Sequence, residues 1–65
     1  MQPYQQRVVE EAADLKSKLD NLDAFIASKT FHTIRSDEQS RLYEQAIHMR
    51  AYLHVLDDRI AAFTL

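Results

Sequence analysis

Residues 8–26, VVEEAADLKSKLDNLDAFI, decide the fold. Val8, Ala12, Leu15, Leu19, Leu22 and Ile26 recur there at alternating spacings of four and three, which is the heptad seam of a helix that packs along one line. Tyr4, Glu11, Lys18 and Phe25 form a second row at seven-residue intervals, so they stack along one flank of the same helix. The seam predicts packing. The flank is a candidate for function.

On either side of this stretch the local signals agree. Pro3 suits a first helical turn, where its missing N–H costs nothing, and no helix breaker lies between Gln5 and Ala27. The first helix is expected over about 3–28, with Glu10, Asp14, Ser17 and Asn21 on its wet side. Ser28 to Arg35 is rich in hydroxyl and β-branched residues and breaks the rhythm, predicting a loop over about 29–36 with Phe31 and Ile34 as an apolar plug at the hairpin end. Ser36-Asp-Glu-Gln39 reads as a capping box, with Ser36 as N-cap and Asp37 and Glu38 at the positive end of the dipole. Leu42, Ala46, Met49, Leu53, Leu56, Ile60 and Phe63 then repeat the seam, predicting a second helix over about 37–63.

Two matching seams joined by a short loop make an all-α, antiparallel two-helix hairpin, a single domain over 1–65. Such a rod has no enclosed core, and a chain of 65 residues buries little apolar area alone. Without cysteine there is no disulfide or thiolate metal site to help. Val9, Ala13, Ala24, Phe25 and Ala27 on the first helix, with Tyr43, Ile47, Ala51, Tyr52, Val55, Ala61 and Ala62 on the second, lie off the seam centre. Apolar residues on more than one side of a helix predict more than one neighbour, so assembly into a homo-oligomeric helical bundle is expected.

Composition excludes several functions. A net charge of −2, with both signs mixed along the chain, provides no basic face for duplex nucleic acid. The absence of glycine removes phosphate-cradling loops of the Walker and dinucleotide-binding kinds. No apolar run has signal-peptide or membrane-spanning length, which predicts a soluble, unprocessed chain.

Catalysis is not expected. The acids Glu10, Glu11, Asp14, Asp20 and Asp23 spread around their helix instead of converging, and adjacent Asp57 and Asp58 point about 100° apart. No metal site is expected either. Glu44 and His48 share a face, but His32 falls in the loop and His54 lies about 120° around the helix from His48.

Arg7 sits in the first turns of its helix, where a cation opposes the dipole, and an ion pair with Glu10 or Glu11 is its plain explanation. Its company suggests more. Tyr4 and Lys18 share its side of the helix, and an aromatic plane with guanidinium and ammonium groups suits a nucleobase and its phosphates. Tyr4 and Lys18 are about 21 Å apart along one helix, so a small ligand could touch both only across subunits. On the second helix Arg50, Tyr52, His54 and Arg59 are secondary candidates, with Arg50 able to pair with Asp57 or face water.

The run Tyr4-Gln5-Gln6-Arg7-Val8-Val9-Glu10-Glu11, followed by Leu15, Lys18-Leu19, Leu22 and Phe25-Ile26, resembles the start of a family of small phage proteins. Glu38-Gln39, Leu42, Gln45, Met49, Tyr52, Leu56 and Arg59-Ile60 continue the similarity over nearly the whole chain. The family is that of the helical hairpins shared by phage anti-CBASS and anti-Thoeris sponges. The resemblance implies a homo-oligomer, commonly a hexamer, that sequesters cyclic nucleotide messengers between subunits without degrading them, in the cytoplasm of an infected bacterium. It implies a cyclic dinucleotide, a cyclic trinucleotide or an ADP-ribose-type signal as ligand, and no cofactor. The anti-Thoeris branch usually carries a further domain, so this chain is more similar to the cyclic oligonucleotide branch. Tyr4 stacking on a base and Lys18 on phosphate match the family, with Lys16 as the alternative to Lys18 and Arg7 as the next contact. Two other readings stand beside it: an interaction module whose apolar flank grips a partner helix, and a metal-dependent enzyme subunit using Glu44 and His48.

Overall fold

A computed structural model describes residues 1–63. Helix α1 spans Pro3–Ile26, a 3₁₀ turn spans Thr30–Thr33, and helix α2 spans Ser36–Ala62. The helices form an antiparallel hairpin, a rod of 47 × 14 × 14 Å with no strand among the described residues. The last two residues of the expected 1–65 domain lie outside the described range.

The buried residues are those of the two seams and the plug. Val8, Ala12, Leu19, Ala46 and Leu56 are buried, as is Phe31 in the turn. Val8, Ala12 and Leu56 form a cluster against which Leu15, Leu53, Ile60 and Phe63 pack. Alanine at positions 12 and 46 keeps the facing backbones close, so a two-layer rod can still exclude water from its midline. Phe31 closes the loop end, meeting Phe25, Tyr43 and His32 edge-on at centroid distances of 6.2, 5.2 and 5.6 Å. Ile34, the other expected plug residue, is half-buried.

With no glycine available, the chain reverses without any positive φ among the described residues. Ser28 makes this possible. Its N–H and hydroxyl both donate to the Phe25 carbonyl, at 3.0 and 2.6 Å, and its oxygen accepts the Phe31 N–H at 3.4 Å. Thus α1 stops two residues earlier than expected, and its exposed carbonyl is satisfied by a hydroxyl instead of a left-handed cap.

The start of α2 differs from the expected capping box. Arg35, extended at φ −60° and ψ 145°, is the N-cap, and Ser36 is already helical without a capping bond from its side chain. The Gln39 side chain donates to the Ile34 carbonyl at 3.0 Å instead of reaching back to Ser36. Asp37 takes over the first turn, accepting the Glu38 N–H at 3.0 Å and Arg35 Nε at 3.2 Å. A carboxylate answers the exposed N–H groups and the dipole better than a hydroxyl, and the two flanking arginines hold it there. Those contacts place the Asp37 pKa below its ordinary value, with the Arg35 hydrogen bond as the largest cause.

Packing along a single line makes the buried large side chains costly to truncate. Leu56→Ala is expected to destabilise the chain by about 2–5 kcal/mol and Phe31→Ala by about 3–5 kcal/mol, whereas Glu10→Ala, on the wet side of α1, is expected to stay within about 0.5 kcal/mol. Urea unfolding followed by circular dichroism measures all three.

Candidate functional site

In an antiparallel helix pair, the positions flanking the two seams meet along two edges. One edge of this hairpin carries Tyr4, Glu11, Lys18 and Phe25 from α1 beside Tyr52 and Arg59 from α2. The other brings Asp23 of α1 to Arg50 of α2. The edges differ in how their charges are used.

On the second edge the charges are paired. Arg50 Nη2 donates to both oxygens of Asp23, at 2.9 and 2.8 Å, and nearby Lys16 pairs with Asp20 at 3.0 Å. Arg50 was expected to pair with Asp57 or to face water. The antiparallel register brings Asp23 of the opposite helix within reach, and a two-pronged carboxylate contact satisfies the guanidinium better than a neighbour on its own helix.

The first edge is held together by three cross-contacts. At the end where the termini meet, Tyr4 packs edge-on against Phe63, with centroids 5.8 Å apart and planes at 83°. Farther along, the Tyr52 hydroxyl donates a short hydrogen bond to the Glu11 carboxylate. Phe25 then meets Phe31 at the loop end. Tyr4 and Tyr52 remain 51% and 45% exposed, so both rings keep an accessible face.

Two guanidinium groups accompany these rings. Arg7 lies one helical turn from both Tyr4 and Glu11, and Arg59 is close enough to Tyr52 to act on its hydroxyl electrostatically. Among the described residues neither Arg7 nor Arg59 makes a hydrogen bond or ion pair. The expected pairing of Arg7 with Glu10 or Glu11 does not form. Glu10 accepts from the Gln6 side chain at 3.3 Å, and Glu11 is taken by Tyr52.

The structure therefore gathers four of the candidates, Tyr4, Arg7, Tyr52 and Arg59, at the open end of one edge. Lys18 is on the same edge but farther toward the loop, pairing with Asp14 at 3.0 Å. Arg50 is on the opposite edge. Glu11, expected only as an ion-pair partner of Arg7, instead bonds across the hairpin to Tyr52. Its place in the same row as Tyr4 was visible, but its bond to Tyr52 depends on the register of one helix against the other.

The Tyr52 phenol is pushed above its ordinary pKa, first by its hydrogen bond to Glu11, then by desolvation and the Glu11 charge, with Arg59 acting in the opposite sense. No three metal-ligating side chains converge among the described residues; the Glu44–His48 pair is a surface contact at 3.6 Å, and His54 meets Asp58 at 3.5 Å. No helix is long and apolar enough to cross a membrane among the described residues. The described residues enclose no cavity, so this edge is an open ledge.

Comparison with known proteins gives two positive findings. The sequence model of the Sequestin family matches residues 2–62. An uncharacterized 7.5 kDa protein from the denB-rIIB intergenic region of Enterobacteria phage T4 is 41% identical over 63 residues, covering 97% of this chain and 98% of the relative. Together they bear out the resemblance to small phage sponge proteins. The family name fits a sequestering role, and the relative is a phage protein. No solved structure matches.

A raised tyrosine pKa carries a definite pH dependence. The folded state holds the Tyr52 proton more tightly than the unfolded chain, so this contribution to stability is fully present below the unfolded value of about 10 and is lost as pH rises through the higher folded value. Alkaline titration of tyrosinate absorbance is expected to show Tyr52 ionising at lower pH in Glu11→Gln than in the parent protein.

Proposed function

The chain belongs to the Sequestin family, and from that premise we propose that it is a phage anti-defence sponge. It binds cyclic oligonucleotide messengers, dinucleotides and also trinucleotides, and withholds them intact from CBASS-type effectors in the host cytoplasm. The observation that carries this reading is the ledge of two exposed tyrosine rings beside two guanidinium groups that make no hydrogen bond or ion pair among the described residues. A base stacked on an aromatic ring contributes about 1–3 kcal/mol. Guanidinium groups suit the phosphodiester oxygens because their planar fork matches oxygen pairs.

Enclosure comes from a second copy. A single rod presents a ledge with no opposite wall, whereas a ledge closed by a neighbouring hairpin excludes water from the charged contacts and strengthens them. The surplus apolar surface of α2 is suited to such assembly, since Ile47 and Val55 are 65% and 52% exposed. By resemblance the assembly is a hexamer. Lys18 and Arg50 join the site in this scheme by exchanging Asp14 and Asp23 for phosphate, at a cost of up to about 1 kcal/mol per exposed pair.

Sequestration differs from catalysis in what is recovered. Incubation with cyclic di-AMP, cyclic di-GMP, cyclic GMP-AMP and cyclic tri-AMP is expected to raise the melting temperature with at least one of them, as any ligand specific to the folded state does. Heating should then release that nucleotide intact, as read by mass spectrometry. Arg7→Ala and Arg59→Ala are each expected to weaken binding by about tenfold or more, the scale of a hydrogen bond to a charged group. No thermal shift across the panel, or a light-scattering mass of a monomer with nucleotide bound, would sink the proposal.

The same exposed row, Tyr43, Ile47 and Val55, also favours a second reading, a module that grips a partner helix. It predicts indifference to every nucleotide in the panel.

A further inference from the structure

Arg7 has two acids at the spacings where exposed ion pairs form along a helix, Glu10 three residues on and Glu11 four. At the four-residue spacing this rod closes such pairs readily, as Lys16 with Asp20, Lys18 with Asp14 and Arg41 with Asp37 all show. Arg7 and Glu11 remain apart. What distinguishes Glu11 is the Tyr52 hydroxyl, which reaches it from 41 residues away in sequence, across the hairpin edge.

We propose that Tyr52 is a positioning residue: by holding the Glu11 carboxylate across the hairpin edge through Oε2, it keeps the Arg7 guanidinium unpaired and available to an anion. That the anion is a phosphodiester rests on the function proposed above; the holding open of Arg7 does not. A neutral donor is well suited to this task. It satisfies the carboxylate without bringing another cation that would stay bound there, and Glu11 is left facing across the hairpin instead of along its own helix.

The side chain divides its work between ring and oxygen. Its oxygen is engaged by Glu11, while the residue stays 45% exposed, so the ring can meet a flat ligand. Removing the oxygen alone separates the two roles. In Tyr52→Phe the ring remains, Glu11 loses its donor, and the nearest free cation on its own helix is Arg7.

The test uses the full-length protein and two readouts. In Tyr52→Phe, the Arg7 Nε–H signal in a proton–nitrogen correlation spectrum is expected to shift as the Glu11 pair forms. Affinity for cyclic di-AMP, or whichever cyclic nucleotide of the panel binds best, is expected to fall about three- to fivefold, the scale of one exposed ion pair. Adding Glu11→Gln to Tyr52→Phe is expected to restore both, although the cross-hairpin bond is still missing. A purely structural role for the phenol would not be rescued in this way. The inference is overturned if the Arg7 signal in Tyr52→Phe is unchanged, or if the double variant binds as weakly as Tyr52→Phe alone. If the parent protein binds no nucleotide, the sponge reading fails on its own, and the Arg7 signal still decides the role of Tyr52.

Discussion

Burial in this hairpin is confined to one line of side chains, and the rest of the molecule follows from that restriction. Two helices have a single shared seam. Val8, Ala12, Leu19, Ala46 and Leu56 occupy it, and Phe31 seals the end where the chain turns. No third layer covers the backs of the helices, so their outer faces are exposed in the isolated chain. Conformational entropy must be offset by burial along that line and by whatever the outer faces meet. The proposed association with a neighbour would thus follow from the two-layer design, independent of any ligand.

The seam also dictates the two edges. Once the apolar line is set, each residue beside it is committed to one edge, and the antiparallel register decides what it meets there. This is why Arg50 faces Asp23 and Glu11 faces Tyr52. One edge neutralises its arginine with a carboxylate. The other bonds a carboxylate to a phenol and, among the described residues, leaves its arginines unpaired.

These origins explain what the sequence discloses. Periodicity is a property of one helix at a time, so the seams, the wet side of α1 and the flank row Tyr4, Glu11, Lys18 and Phe25 can all be read directly. Phe31 is legible for a similar reason, as an isolated aromatic in a polar turn. Cross-hairpin partners are another matter. They depend on how many residues the turn consumes, and the Ser28 bonds to Phe25 end α1 earlier than its composition alone indicates. The Asp23–Arg50 and Glu11–Tyr52 pairs therefore had to await the structure. The Ser36 motif fails for a local reason: the Gln39 N–H that it would cap is taken by the Arg35 carbonyl, and Asp37, with arginines on both sides, accepts the Glu38 N–H.

A net charge of −2 opposes an anionic ligand at long range, but net charge does not describe a site. Of eight basic side chains, Lys16, Lys18, Arg35, Arg41 and Arg50 are in ion pairs. Among the described residues that leaves Arg7, Lys29 and Arg59. Lys29 lies at the turn, while the other two flank the rings of Tyr4 and Tyr52 at the opposite end. Two of these three cations thus share the terminal half of the rod with Tyr4 and Tyr52, while Lys29 lies at the turn, where Phe25 and Tyr43 are also exposed. On an isolated rod, water screens that charge and covers those rings. A neighbouring hairpin laid over the same ledge would displace the water, and the guanidinium groups would then need an anion to replace the lost solvation. In the proposed assembly, closure and anion binding would support each other at this edge, because the closure that builds the pocket would also create its demand for negative charge.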